Sequence, residues 1–217
     1  MIARFDGVVF DLDGTLIDTE SLCNIAGVET CTALGLNVPL VYFESLAGVH
    51  DAERVRRLAV YTGQAIDPDA FNAEWDKRSY AQFEAGIPLK PGVVALMEQI
   101  TAAGLPIALA TSSRRVPART KLAATGLGRW FQAVITFDDV SAAKPAPDPY
   151  LLAAERLGVL AGRCVAFEDS EPGAQSAHAA GMTVVQIPDM HAASGRFAHH
   201  VAADLIAGAR AAGLIDG

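Results

Sequence analysis

The chain has 217 residues, of which 51% are hydrophobic and 19% are charged, and its formal net charge is −8. A chain of this length can bury roughly 70% of its unfolded surface, so we expect a globular protein with one domain or a core with an insertion. The negative charge, the lack of basic runs and the lack of any apolar stretch near the ~18 residues of a membrane span argue against nucleic-acid binding and membrane insertion.

The cysteines indicate a reducing compartment. Cys23, Cys31 and Cys164 are an odd number and lack C-x-x-C spacing, which argues against a disulfide framework or a zinc site. We therefore expect three buried thiols. The first residues have no signal-peptide pattern, and we expect a cytoplasmic protein.

A short apolar run at residues 8–10 is typical of a buried strand, and it ends in Asp11-Leu12-Asp13-Gly14-Thr15. The two carboxylates would repel each other unless a cation lies between them. Gly14 allows the chain to turn away at once. Alone, the segment could be a strand followed by a turn with a capping acid. An enzyme uses the same arrangement to hold a nucleophile and a proton carrier at the rim of a sheet.

The next stretch, residues 16–88, has helical periodicity only. It predicts one helix that begins near Asp18 or Thr19 and ends at Gly35, and two more over 51–62 and 68–85. From residue 93 the pattern alternates between helices and short apolar strands, which we place at 107–110, 133–135, 164–167 and 183–187.

This alternation predicts an α/β fold, a Rossmann-like parallel sheet with helices on both faces. The predicted catalytic core is discontinuous and comprises residues 1–15 and 89–217, and residues 16–88 form an inserted all-helical cap domain. A cap in this position could exclude water and select the substrate.

Three polar clusters follow, and each has an ordinary explanation when taken alone. Thr111-Ser112-Ser113 could be a turn or helix cap, Lys144 a solvated loop lysine, and Glu168-Asp169 a helix cap. The functional alternatives are an anion cradle at a helix start, an ammonium held by a stiff proline-rich segment, and hard oxygen ligands for Mg²⁺.

Together, Asp11-x-Asp13-Gly14-Thr15, Thr111-Ser112, Lys144-Pro145 and Glu168-Asp169 resemble the four motifs of the haloacid dehalogenase superfamily, in the same order. The segments FDLDGTLIDTE, ATSS, KPAPDPY and FEDSEPGAQSAHAAGM are similar to its phosphatase and β-phosphoglucomutase-like branch. The resemblance covers both ends and most of the core. Over residues 40–86 it rests on helical character and the segment LAGV.

The resemblance implies a mechanism in which Asp11 attacks phosphorus to form an aspartyl phosphate and Asp13 acts as general acid and base. The residues it implies as catalytic are Asp11, Asp13, Thr111 and Lys144. The implied phosphate-binding residues are Asp11, Leu12, Asp13, Thr111, Ser112, Ser113 and Lys144. The implied Mg²⁺ ligands are Asp11, Asp169, Glu168 and the backbone carbonyl of Asp13.

The leading hypothesis is a Mg²⁺-dependent phosphatase acting on a small phosphorylated metabolite, such as a sugar phosphate or a related compound, as a monomer or weak homodimer. The alternatives are a β-phosphoglucomutase and a non-catalytic phosphate-binding protein. Phosphoglucomutases of this branch carry a histidine and an arginine in the cap where this chain has Cys23 and Asp51. The intact pair Asp11 and Asp13 argues against a non-catalytic binder, and Asp13 argues against a dehalogenase. The lack of lysine in residues 16–76 argues against a phosphonatase.

Overall fold

The computed structural model describes residues 5–46, 49, 51–189 and 192–216, and of Asp51 only the backbone. Within the segment LAGV, Ala47 and Gly48 therefore lie outside the described residues. The chain divides into two compact units. We call Met1–Ile17 with Pro88–Gly217 the core unit and Asp18–Ile87 the inserted unit. That the inserted unit acts as a cap stays a prediction.

The core unit contains a six-stranded sheet in which all paired strands are parallel. Its strands are β1 (Gly7–Phe10), β2 (Ile107–Ala110), β3 (Ala133–Ile135), β4 (Cys164–Glu168), β5 (Thr183–Gln186) and β6 (His200–Val201). Their order is β3-β2-β1-β4-β5-β6. The predicted fold class is confirmed. Strand β6 was not predicted, because two residues are too few to show an alternating pattern.

Among its described residues the inserted unit has helices and no strands. Its helices are α1 (Glu20–Ala33), α2 (Leu40–Glu44), α3 (Asp51–Thr62) and α4 (Pro68–Ala85). Phe43, Leu58 and Phe71 lie in a hydrophobic core of the unit's own. Of the three thiols expected to be buried, Cys31 and Cys164 are buried, but Cys23 is only half-buried, so that expectation was wrong for Cys23.

Helices cover both faces of the sheet in the core unit. They are α5 (Val93–Ala102), α6 (Arg115–Thr125), α7 (Asp148–Leu157), α8 (Glu171–Ala179) and α9 (Leu205–Ala212). Val184 packs in one cluster with residues of α7 and α8. Its neighbour Val185 faces the opposite side, where α9 comes so close that a Cβ on Gly208 would lie 2.5 Å from Val185 Cγ1. No helix in the described part of the chain has both the length and the apolar character needed to cross a membrane.

The sheet topology determines where the predicted site residues meet. Val8 is paired with Ile107 on one side and with Val165 on the other, so β1 lies between β2 and β4 in parallel register. The residues that follow these three strands therefore lie at the same edge. From β1 the strands β2 and β3 follow on one side of the sheet, and β4, β5 and β6 follow on the other side. Open α/β sheets bind ligands at such a switch point, here between β1 and β4.

Candidate active site

Asp11 is the buried centre of this edge. It directly follows β1, and its backbone N–H donates to the carbonyl of Phe167 on β4 at 3.0 Å. Only 6% of the residue is exposed. Its Oδ1 accepts a hydrogen bond from Lys144 Nζ at 2.7 Å, and its Oδ2 accepts one from the Thr15 hydroxyl at 3.3 Å. The structure therefore holds both oxygens of the predicted nucleophile.

Lys144 links Asp11 to the end of β4. Its Nζ also donates to Glu168 Oε1 at 2.6 Å and to the carbonyl of Ala110 at 2.8 Å. Glu168 is fully buried, and its Oε1 accepts a second hydrogen bond from the Tyr150 hydroxyl at 2.6 Å. Its Oε2 accepts from the Ser170 hydroxyl at 3.1 Å and N–H at 3.4 Å. The Glu168 carboxylate is thus surrounded by donors of the protein itself.

Burial and neighbouring negative charge shift the pKa values of the acids at this site. Burial raises the pKa of Asp11 well above its usual range; Lys144 opposes this, and the charges of Glu168 and Asp169 add to it. Burial, followed by the charge of Glu168, raises the pKa of Asp169 to about 7. Burial alone would lower the pKa of Lys144, but Asp11 and Glu168 raise it above its usual value. A cation that binds here would stabilise the ionised carboxylates.

The carboxylates fit a hard divalent cation. Asp11, Glu168 and Asp169 each offer an oxygen, and these three atoms lie within 4.8 Å of one another. Gly14 keeps the space beside Asp169 open, because a Cβ there would lie 2.4 Å from Asp169 Oδ2. The backbone of Gly14 has φ +83°, which also disfavours any other residue. Oxygen donors with net negative charge are the ligands that Mg²⁺ prefers.

Asp13 has different partners. Its Oδ2 accepts from the Ser113 hydroxyl at 2.9 Å, and its Oδ1 accepts from Lys121 Nζ at 2.6 Å. Lys121 Nζ also lies 3.0 Å from Ser113 Oγ. The sequence predicts positive charge beside the two aspartates. The structure has Lys144 in contact with Asp11, as expected, and a second lysine, Lys121, in contact with Asp13.

The remaining predicted phosphate-binding residues lie at the same edge of the sheet. Thr111 is 2% exposed, and its Oγ1 accepts a hydrogen bond from the Ser113 N–H at 3.0 Å. The Ser112 side chain is exposed. The Leu12 side chain is fully buried, and its carbonyl accepts from the Leu16 N–H at 2.9 Å. The phosphate-binding roles of these residues stay predictions.

Sequence reasoning missed Lys121 and Tyr150. Lys121 occupies the buried face of α6 together with Ala118 and Leu122, at the i, i+3 and i+4 spacing of an apolar stripe. A lysine in such a stripe was the signal that could have identified it. Tyr150 lies six residues beyond Lys144 in the segment KPAPDPY, but the sequence does not show that its hydroxyl reaches Glu168.

Comparisons with known proteins agree with this geometry. The family model for haloacid dehalogenase-like hydrolases matches residues 5–181. Fructose-1-phosphate phosphatase YqaB of Escherichia coli is 34% identical over 188 residues, which cover 86% of this chain and 98% of that protein. Protein SUPPRESSOR OF QUENCHING 1, chloroplastic, of Arabidopsis thaliana is 35% identical over 191 residues, but the match spans 85% of this chain and only 18% of that protein.

A crystal structure of a HAD family hydrolase from Deinococcus radiodurans R1, with bound phosphate and sodium, superposes with a TM-score of 0.85 at 29% identity. The superposition covers 99% of both chains. The motif order, the sheet topology and the family match agree: the chain belongs to the haloacid dehalogenase-like hydrolases and is a phosphoric monoester hydrolase.

Proposed function

We propose that this protein is a Mg²⁺-dependent phosphatase that hydrolyses a small sugar phosphate through an aspartyl phosphate on Asp11. The observation that carries the proposal is the buried Asp11 carboxylate, held by Lys144 and Thr15 inside a cluster of acids. Asp13 lies two residues later and accepts a hydrogen bond from a different lysine, Lys121. The similarity to a fructose-1-phosphate phosphatase over nearly the whole of both chains supports a sugar phosphate as substrate.

In the first step a carboxylate oxygen of Asp11 attacks phosphorus. The new P–O bond to Asp11 forms while the P–O bond to the leaving alcohol breaks, and Asp13 gives its proton to the departing oxygen. A carboxylate that faces a doubly charged phosphoryl group at ~4 Å is opposed by roughly 8 kcal/mol at an effective dielectric constant near 20. The ammonium of Lys144, 2.7 Å from Asp11, offsets part of this repulsion.

In the second step water replaces Asp11. The ionised Asp13 takes a proton from the attacking water, the water oxygen bonds to phosphorus, and the bond to Asp11 breaks. The net reaction consumes one water and releases one alcohol and one inorganic phosphate. Asp13 ends the cycle protonated, as it began.

We assign the Mg²⁺ ligands to Asp11, Asp169 and the backbone carbonyl of Asp13. We do not assign Glu168 as a ligand, because its two oxygens already accept four hydrogen bonds from the protein. Its carboxylate contributes negative charge next to the ligands. When bound, Mg²⁺ supplies positive charge to the phosphoryl oxygens. Thr111, the Ser112 N–H and Lys144 are the protein groups that bind those oxygens.

We assign substrate selection to the inserted unit, which acts as the cap. The two segments that connect it to the core unit support this assignment, because they form backbone contacts with each other beside Asp13. Ile17 forms bridges with Asp13 and with Leu89, and the Lys90 N–H donates to the carbonyl of Leu16 at 2.9 Å. The cytoplasmic location and the monomeric or weakly dimeric state remain predictions.

Water rather than a second sugar phosphate is the proposed phosphoryl acceptor. Arginines in α3 could have replaced the cap arginine of a mutase, but their described contacts lie within the inserted unit. Arg56 and Arg57 both bind Glu53, at 2.6 and 2.8 Å. The Arg54 guanidinium stacks on Trp75 at 4.3 Å and donates to the carbonyl of Val49 at 2.6 Å. Cys23 cannot reproduce the charge switch of a histidine near neutral pH.

The test is a panel of phosphorylated sugars and polyols, assayed for inorganic phosphate with Mg²⁺ and with excess chelator. We expect Mg²⁺-dependent phosphate release, and no release by the Asp11→Asn variant. Asp6→Asn is the matched control, because Asp6 precedes the same strand and is exposed. Full turnover by Asp11→Asn would reject the nucleophile. Bisphosphate-dependent conversion of β-glucose 1-phosphate to glucose 6-phosphate, faster than phosphate release, would reassign the protein as a mutase.

A further inference from the structure

We propose that Lys121 is a positioning residue that holds the Asp13 carboxyl group in the orientation needed for proton transfer. The inference rests on the proposed role of Asp13 as general acid and base. It adds a residue outside the four motifs to the machinery of the reaction.

The geometry around Asp13 forms a closed triangle. Lys121 Nζ lies 2.6 Å from Asp13 Oδ1, and the Ser113 hydroxyl donates to Asp13 Oδ2 at 2.9 Å. Lys121 Nζ and Ser113 Oγ are themselves 3.0 Å apart. Each carboxyl oxygen is therefore held from the protein side, which restricts rotation of the carboxyl group.

The burial of the triangle is asymmetric. The Lys121 side chain is 10% exposed, whereas the Asp13 side chain is 30% exposed. Lys121 thus approaches from the interior, and Asp13 still presents a surface to solvent. This is the arrangement expected of a group that must be anchored on one side and reach substrate on the other.

A purely structural role does not explain a lysine at this position. Its neighbours on the buried face of α6 are Ala118 and Leu122, where an apolar side chain would suit the stripe. Burying an ammonium costs desolvation energy and rotamer entropy, and these costs are offset only where a carboxylate is in bonding range. On this face of α6 the ammonium is directed at Asp13.

The consequence for catalysis depends on the leaving group. A displacement of about 1 Å in a reacting group can cost on the order of 10²-fold in rate. Loss of Lys121 should therefore slow the expulsion of an alkoxide, which needs the proton of Asp13. It should hardly affect the expulsion of p-nitrophenolate, which leaves without protonation.

The experiment compares kcat/KM for benzyl phosphate and p-nitrophenyl phosphate, two substrates of similar size. The kcat/KM value reports the step in which the leaving group departs, so hydrolysis of the aspartyl phosphate does not obscure it. For Lys121→Met we expect a loss of about 10- to 100-fold with benzyl phosphate and of less than about threefold with p-nitrophenyl phosphate. Lys121→Arg should recover most of the loss. Arg119→Met, an exposed change on the same helix, is the matched control.

Equal losses with the two substrates, or no loss with either, would overturn the role of Lys121. Turnover of both substrates by the wild type, together with an inactive Asp11→Asn variant, would support the proposed phosphatase whatever Lys121 does. Failure of the Lys121 proposal can therefore be distinguished from failure of the proposed function. Should Lys121→Met fail to fold, Ser113→Ala removes the other anchor of Asp13. It should show the same dependence on leaving group, and an equal loss with both substrates would reject the triangle.

Discussion

Asp11 and Asp13 are separated by one residue but lie in opposite surroundings. Asp11 is buried against Lys144 and the acids at the end of β4, whereas the Asp13 side chain keeps 30% of its surface exposed. Two carboxyl groups with different environments can perform different tasks in one site. The buried group suits nucleophilic attack, and the more exposed group suits exchange of protons with substrate and water.

We predict that Asp13→Asn slows turnover far more than it weakens the binding of phosphate. General acid–base catalysis typically contributes ~10²–10⁴-fold, and Asp13 would act in both half-reactions. Steady-state kinetics should therefore show a fall in kcat of at least this size. The affinity for inorganic phosphate, measured by calorimetry, should stay nearly unchanged. A wild-type rate with benzyl phosphate would show that Asp13 is not the acid.

A second prediction concerns pH and Asp169. Its pKa is raised from 3.8 to about 7, so between these values the folded state binds more protons than the unfolded chain. The free energy of unfolding of the metal-free protein should therefore fall as pH rises from about 4 to about 7. We expect Asp169→Asn to remove this contribution, on the order of a few kcal/mol, and to be more stable than wild type above pH 7.

Urea unfolding in chelator, followed across this pH range, measures the effect, with the exposed Asp216→Asn as control. Added Mg²⁺ should stabilise the wild type at pH 8 and leave Asp169→Asn nearly unchanged. An identical pH slope for Asp169→Asn and wild type would contradict the prediction.

At the scale of elements, the junction of β4 and α8 is packed around the Glu168 side chain. Ser170 caps α8 by accepting from the Gly173 N–H at 3.2 Å, and its hydroxyl donates to Glu168. A Cβ on Gly173 would lie 1.9 Å from Glu168 Oε1. Gly173 is therefore required by the close approach of a buried carboxylate, although a helix would otherwise favour alanine.

We predict that Gly173→Ala lowers both stability and activity, because Glu168 must move away from Lys144 and Tyr150. Overpacking of this kind costs about 1–3 kcal/mol, which denaturant unfolding can resolve. Gly162→Ala is the control, since its Cβ would find only an ordinary contact, 3.8 Å from the carbonyl of Gly181. Unchanged stability and kcat in Gly173→Ala would refute the predicted clash.

At the scale of the whole molecule, the chain consists of two units, and the described residues of each include a hydrophobic cluster of its own. We predict that the inserted unit changes its position when a phosphate analogue binds, as expected of a cap that gates the site. Small-angle scattering with and without the analogue should give different profiles. Lys144→Met, which loses a phosphate-binding cation, should show no change, and identical profiles for the wild type would reject gating.

The fold class and the candidate motif residues could be predicted from the amino-acid sequence alone. Apolar runs and turn residues are local signals, and a parallel sheet brings the residues after β1, β2 and β4 to one edge whatever the details of packing. For that reason Asp11, Thr111 and Asp169, which follow these three strands, could be assigned to one site. Lys144 lies in a loop before α7 and was added to the site by the resemblance of the motifs. The helices α1, α3 and α4 were predicted for the same local reason, whereas α2 has only five residues and shows no clear period.

Which lysine contacts which aspartate could not be predicted without the three-dimensional fold. The sequence predicts positive charge, including Lys144, beside Asp11 and Asp13, but it does not show that a second lysine, Lys121, contacts Asp13. A helical residue reaches a particular partner only through the rotation and depth of its helix against the sheet, and no local pattern encodes these. The same holds for Tyr150, whose hydroxyl reaches Glu168 because α7 packs against the sheet beside β1 and β2.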